Sequence, residues 1–176
     1  MRLTLSLLLL LATPLAAQAP DTVSDRLSSF ETGVICPPPS VGEAPAPGTV
    51  AGTTHLIEEE PPFVSNASRV PAVLGLGFGA KAQARGLGLA DVEIEVTHPP
   101  MGPDGATRQS FRSRIDAFAP SLTFYQFDFA YELVQGLWQI EATKDGETLY
   151  RKTFEVVAPD QMPELARICG FENLLS

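Results

Sequence analysis

Across residues 91–97 apolar and polar side chains alternate without a break. Val92, Ile94 and Val96 take one side; Asp91, Glu93, Glu95 and Thr97 take the other. A period of two is that of a strand with one dry face and one wet, here acidic, face. The same period runs through 121–133, where Tyr125, Phe127, Phe129, Tyr131 and Leu133 share a side and Gln126, Asp128 and Glu132 oppose them. Aromatics so spaced suit a pleated, half-buried surface. Further on, Trp138, Ile140 and Ala142 alternate with Leu137, Gln139 and Glu141. Lys144-Asp145-Gly146 then predicts a tight turn, since Asp-Gly favours hairpin geometry. The return strand over 147–157 carries Tyr150, Phe154 and Val156 on one face. Weaker strands are predicted over 52–58, 70–84 and 107–115, and 98–105 reads as a turn that includes His98.

About seven short strands with regular turn signals predict an all-β protein. The expected fold class is an immunoglobulin-like antiparallel β-sandwich with a short C-terminal helix; the alternative is a small up-and-down β-barrel. Residues 49–158 give a sandwich its usual length of about 100 residues, and Trp138 suits its core. Residues 18–48 are expected to form a lead segment. Glu31 to Cys36 looks like a short strand there, but Pro37, Pro38, Pro39, Pro45 and Pro47 remove amide donors and fix φ. Residues 159–176 are expected to form the helix and tail. Asp160 can cap that helix, Pro163 fits its first turn and Gly170 can stop it. Leu165, Ile168 and Cys169 then fall on one side.

The N-terminus opens with Met1-Arg2, an apolar run to Ala12 and a small-residue exit ending Ala16-Ala17. That order predicts a signal peptide over residues 1–17, cleaved after Ala17, and a periplasmic or secreted protein. The apolar run is too short to span a bilayer, which takes about 20 residues, so stable membrane insertion is not expected. The chain has 12 basic and 21 acidic residues, a net charge of −9. Nucleic acid is a poor partner for such a chain, because phosphate contacts need clustered Lys and Arg. An oxidising compartment and an even pair of cysteines point to one disulfide, Cys36 to Cys169. Two separate buried thiols are the alternative.

Motifs for chemistry are few. Leu74-Gly75-Leu76-Gly77-Phe78-Gly79 looks like a dinucleotide fingerprint but has no following helix. It reads instead as a strand with glycines on one face, where another backbone or side chain comes close. His55 near Glu58, Glu59 and Glu60 could hold a metal only with a second histidine nearby, and there is none. Asp116 with Asp128, and Glu93 with Glu95, are carboxylate pairs with nothing to place them across a cleft. No residue is therefore assigned to catalysis, a metal or a cofactor. Arg108, Arg112 and Arg114 share one face of a strand. With Glu93 and Glu95 they form a possible interaction face, either pairing across strands or offering an anion site to an acidic partner.

Several stretches also resemble a known family. They are 45–49 with 58–64, Val96-Thr97-His98-Pro99-Pro100-Met101-Gly102, Leu122-Thr123-Phe124-Tyr125-Gln126-Phe127, Gly136-Leu137-Trp138 and Cys169-Gly170-Phe171-Glu172-Asn173. They are similar to an exported bacterial family of unknown function with members in marine-type alphaproteobacteria. The hairpin over 136–157 is also similar to the last hairpin of bacterial immunoglobulin-like modules. The resemblance implies an exported sandwich and carries no catalytic residue. The expected role is a non-catalytic periplasmic binding or accessory module with an envelope protein as partner. The alternatives are an envelope hydrolase or carbohydrate-active protein with a loop-built site, and a lipocalin-like small-ligand binder.

Overall fold

The computed structural model describes residues 18–170; the signal peptide expected over 1–17 and the last six residues of the expected tail lie outside that range. Eleven strands run in order: β1 (Thr22–Val23), β2 (Leu27–Ile35), β3 (Ser40–Pro45), β4 (Thr53–Ile57), β5 (Arg69–Pro71), β6 (Gly77–Ala84), β7 (Leu89–Met101), β8 (Ala106–Ile115), β9 (Ser121–Gln126), β10 (Gly136–Lys144) and β11 (Glu147–Val157). One sheet has the order β1-β11-β10-β7-β8, with β5 added parallel to β11; the other is β2-β6-β9. All other pairings are antiparallel. β3 and β4 form a separate hairpin. No helix among the described residues is long and apolar enough to cross a membrane.

The alternating sides predicted above become the inner faces. Val92, Ile94, Val96, Trp138, Ile140, Ala142, Tyr150, Phe154 and Val156 from one sheet meet Val34, Phe78, Ala80 and Ala82 from the other. Trp138 is fully buried. Its ring meets Phe78 edge-on at 5.8 Å and Phe127 at 5.7 Å, and Phe78 packs on Phe154 at 4.9 Å. Two packed sheets with a filled aromatic centre make a sandwich rather than a barrel, and Tyr125 of β9 packs on Trp138 at 4.9 Å.

Several expectations shift. The two packed sheets hold seven strands longer than three residues, β2, β6, β7, β8, β9, β10 and β11; the predicted strand over 52–58 is instead in the side hairpin. β2, expected in the lead segment, pairs with β6 from Leu27 to Ile35 and buries Val34 and Ile35, so the sandwich begins well before residue 49. The long aromatic strand stops at Gln126, and a 3-10 turn follows at Ala130–Glu132. Phe129 and Tyr131 stack on each other at 5.3 Å outside the core. Residues 98–101 belong to β7, and the turn starts at Gly102.

The predicted strand over 70–84 is split into β5 and β6, and Gly75 sits in a turn with φ of 84°, so the glycine-faced strand holds from Gly77 onward. Gly77 and Gly79 lie on the outer face of β6, and Gly79 faces Gly33 of β2. A side-chain carbon at Gly33 would overlap the Ser65 carbonyl and the Phe63 ring. The missing side chain lets residues 58–65 cross this sheet closely. Along that path Glu60 accepts from the Leu122 N–H at 2.9 Å, Lys81 sits over the Phe63 ring at 5.5 Å, and Val34 bridges Ser65.

At the end of the chain a 3-10 turn (Pro159–Gln161) leads into α1 (Pro163–Ile168). Met162, not Asp160, precedes the helix, Leu165 enters the core and Ile168 stays exposed. Gly170 turns the chain with φ of 80°. Cys169 then joins Cys36 at the end of β2, with Cα atoms 5.1 Å apart and 133 residues of separation. The N-terminal and C-terminal parts of the fold are thereby tied.

Candidate functional site

β8 and β9 are the outermost strands of their sheets, and the β3–β4 hairpin stands across the side where they lie. Its loop is fixed to β8: the Ser110 N–H donates to the Gly48 carbonyl at 2.9 Å and the Val50 N–H to Gln109 Oε1 at 2.8 Å. Gly48 is needed there, because a side chain would overlap the Ser110 carbonyl. The far side of the hairpin is held by His55. Its Nε2 lies 3.0 Å from Asp128 Oδ2, and its Nδ1 lies 3.2 Å from Ser40 Oγ. His55 was expected near Glu58, Glu59 and Glu60; alternation of side chains along β4 turns it to Asp128 instead. Among the described residues no three metal-binding side chains converge.

Beneath the hairpin is a cleft of about 70 Å³ whose lining includes His55, Gln109, Tyr125, Asp128 and Glu132. A continuous polar chain runs below it. His98 donates from Nδ1 to the Pro99 carbonyl at 2.9 Å and accepts at Nε2 from Gln109 at 3.2 Å. Gln109 also reaches the Tyr125 hydroxyl at 3.3 Å, and Tyr125 donates to Glu132 Oε1 at 2.7 Å. Glu132 Oε2 accepts the N–H groups of Asp128 and Phe129 at 2.6 and 2.9 Å. His98, Gln109 and Glu132 are buried, so each would be costly without these bonds. Burial holds the His98 pKa below the usual histidine value and pushes the Glu132 carboxyl up, the latter opposed by the Tyr125 hydrogen bond. Burial, then the neighbouring Glu132 charge, drives the Tyr125 phenol far up, so it remains a donor. The His98 ring lies on Trp138 at 4.7 Å, which ties this chain to the core.

Glu93, Glu95, Arg108, Arg112 and Arg114 share the outer face of the larger sheet. Glu93 faces Arg112 across β7 and β8, and Glu95 faces Ser110. Arg108 reaches Glu95 at 3.2 Å and Arg114 reaches Asp116 at 2.9 Å. Glu141 stands opposite Glu95 on β10 but is taken by Arg151 through bonds of 2.6 and 3.1 Å. Much of the acidity expected of this face is therefore balanced within the sheet. Arg112 bonds only the Asp91 carbonyl, at 3.4 Å, and has no carboxylate partner among the described residues. Asp116 and Asp128 lie beyond opposite ends of β9 and form no pair.

Glu93 and Arg112 do more than face solvent. With Phe111 and the wall of Ala44, Pro45 and Pro47 they line a groove of about 530 Å³ between the hairpin and β8. Neither this groove nor the His98–Gln109–Tyr125–Glu132 chain is legible from local pattern alone. The one available signal was a glutamine at an inward position of β8, between residues whose side called for apolar side chains.

Comparison with known proteins places the chain in a family without adding a role. No curated protein matches the chain. A crystal structure of an immunoglobulin-like protein from Pseudomonas aeruginosa is similar at 22% identity and a TM-score of 0.47, over 81% of this chain and 100% of that one. The family model described as a domain of unknown function, DUF3859, matches residues 24–156, from the turn before β2 to the end of β11. The chain belongs to the DUF3859 family.

Proposed function

We propose that the protein is an exported, non-catalytic binding or accessory module that acts through protein–protein contacts with an envelope protein. The observation that carries this reading is the groove of about 530 Å³ beside β8, an edge strand whose outer face bears Arg108, Arg112 and Arg114. A concave, partly apolar surface next to an edge strand is a common setting for a second chain. Export is supported by the N-terminal 17 residues and by the Cys36–Cys169 disulfide, which suits an oxidising compartment. The test is in-cell photo-crosslinking from positions 93 and 108, followed by mass spectrometry. One protein trapped at near-stoichiometric yield from both positions supports the reading. No adduct from either position removes it.

One observation favours a second reading, a loop-built hydrolase site: Ser40, His55 and Asp128 stand in line. The line needs a hydroxyl that hands its proton to the imidazole. Here the Ser40 hydroxyl donates to the Gly42 carbonyl at 2.8 Å, within its own strand. The arrangement therefore fits a clasp for the hairpin better than a nucleophile. Ester hydrolysis lost in Ser40→Ala would reverse that judgement.

A further inference from the structure

We infer that a gap in the β8 edge, at Arg112 and Arg114, accepts an extended acidic segment of a partner protein as an added strand. This rests on the binding-module reading and gives that module its ligand chemistry. The argument begins with where backbone groups point. Ser110 sends its N–H away from β7, to Gly48. Backbone direction repeats every second residue in an antiparallel strand, so Arg112, Arg114 and Asp116 present their N–H and C=O groups on the same outer edge. The Asp116 carbonyl is taken by the Ala84 N–H at 2.8 Å. Between these two capped points, Arg112 and Arg114 have no outside backbone partner among the described residues. The facing wall cannot supply one readily, because Pro45 and Pro47 lack N–H groups.

Charge selects the occupant. Side chains of an added strand would lie opposite those of β8, about 5 Å away. Within the open stretch their cross-strand neighbours are Arg112 and Arg114, while Glu93, which also lines the groove, sits on β7, one strand further off. Arg112 has no carboxylate to lose. The Arg114 side chain is 76% exposed, so its present ion pair with Asp116 is weak and exchangeable. Acidic side chains at alternate positions meet this row, and main-chain hydrogen bonds supply the rest of the affinity.

The experiment is fluorescence anisotropy on the full chain with three labelled probes. These are a short peptide of alternating glutamate and valine, the same peptide with lysine for glutamate, and the glutamate peptide N-methylated at alternate amides. The glutamate peptide is expected to bind at least about tenfold more tightly than the lysine peptide. N-methylation should abolish binding, and the double variant Arg112→Glu/Arg114→Glu should weaken it about tenfold or more. Both positions are exposed, and unchanged circular dichroism would confirm that the variant folds. Equal binding of the two charges, survival of binding after N-methylation, or no binding of the glutamate peptide at millimolar concentration each overturns the inference. A protein trapped by crosslinkers at 93 and 108 alongside any of those failures would leave the module reading intact and reject only strand addition.

Discussion

Tyr125 donates its hydroxyl to Glu132 Oε1 over 2.7 Å, joining the last turn of β9 to the 3-10 segment that follows. The second oxygen of Glu132 closes the same turn on two backbone N–H groups. A carboxylate that accepts three bonds while buried keeps the aromatic stretch from running on as a strand. Tyr125→Phe is expected to cost about 1.5–2 kcal/mol, the lower part of the range for a bond to a charged group. Glu132→Gln is expected to cost more, about 2–3 kcal/mol, because the neutral amide has one acceptor oxygen where the carboxylate offers two to three donors. Urea unfolding of both variants checks the order; Glu132→Gln at wild-type stability would contradict the account.

His98 gives the fold an acid-side weakness. Its folded pKa lies below the ordinary histidine value because burial disfavours the imidazolium. The unfolded chain therefore binds the proton more readily. Stability is present above about pH 6.5 and falls as pH drops through the folded pKa. In His98→Gln the slope over that window is expected to flatten. Denaturant midpoints measured from pH 5 to pH 8 for both proteins decide the matter.

The disulfide closes a loop of 133 residues in sequence separation. Chain-entropy arguments give about 5 kcal/mol for a loop of that size, at the upper end of what such bridges deliver. The double variant Cys36→Ser/Cys169→Ser is expected to unfold at a much lower urea concentration. Alkylation of the native protein should label no thiol before reduction and two after it.

Gly33 has a backbone carbonyl, Ser65, where a side chain would stand. Gly33→Ala must push the crossing segment 63–65 off the sheet. Overpacking of this kind typically costs about 1–3 kcal/mol. Amide exchange at Val34, which donates to the Ser65 carbonyl, and at Val64, which donates to the Val34 carbonyl, should accelerate. Unchanged exchange would mean that the segment is held by other contacts.

The β3–β4 hairpin is predicted to open independently of the sandwich. His55→Ala removes its link to Asp128 and Ser40. A partly exposed pair of this type contributes about 0–1 kcal/mol to global stability. Local exchange is more sensitive, because small units open on their own. Amides of 53–57 should exchange faster, while the unfolding midpoint barely moves.

Alternation in 92–96 and 137–142, and on the return strand, named inner-face residues correctly, because a side chain's face in a strand follows from its parity alone. The Asp-Gly turn, the glycine face of β6 and the cysteine pair were legible for similarly local or compartmental reasons. Parity says nothing of where a strand stops. The pattern over 121–133 continues through Phe129 and Tyr131, yet Glu132 needed a buried donor set and bent the chain after Gln126. Nor does parity say what stands beside a strand. β2, read as part of a lead segment, became a sheet neighbour of β6, since Gly33, Val34 and Ile35 find partners only in the folded molecule. The open gap at Arg112 and Arg114, and the polar chain from His98 to Glu132, join residues from several strands and turns. Short-range order along the polypeptide set the strands and their faces; sheet pairing and loop packing, which depend on distant residues meeting, decided which edges closed and which groups came together.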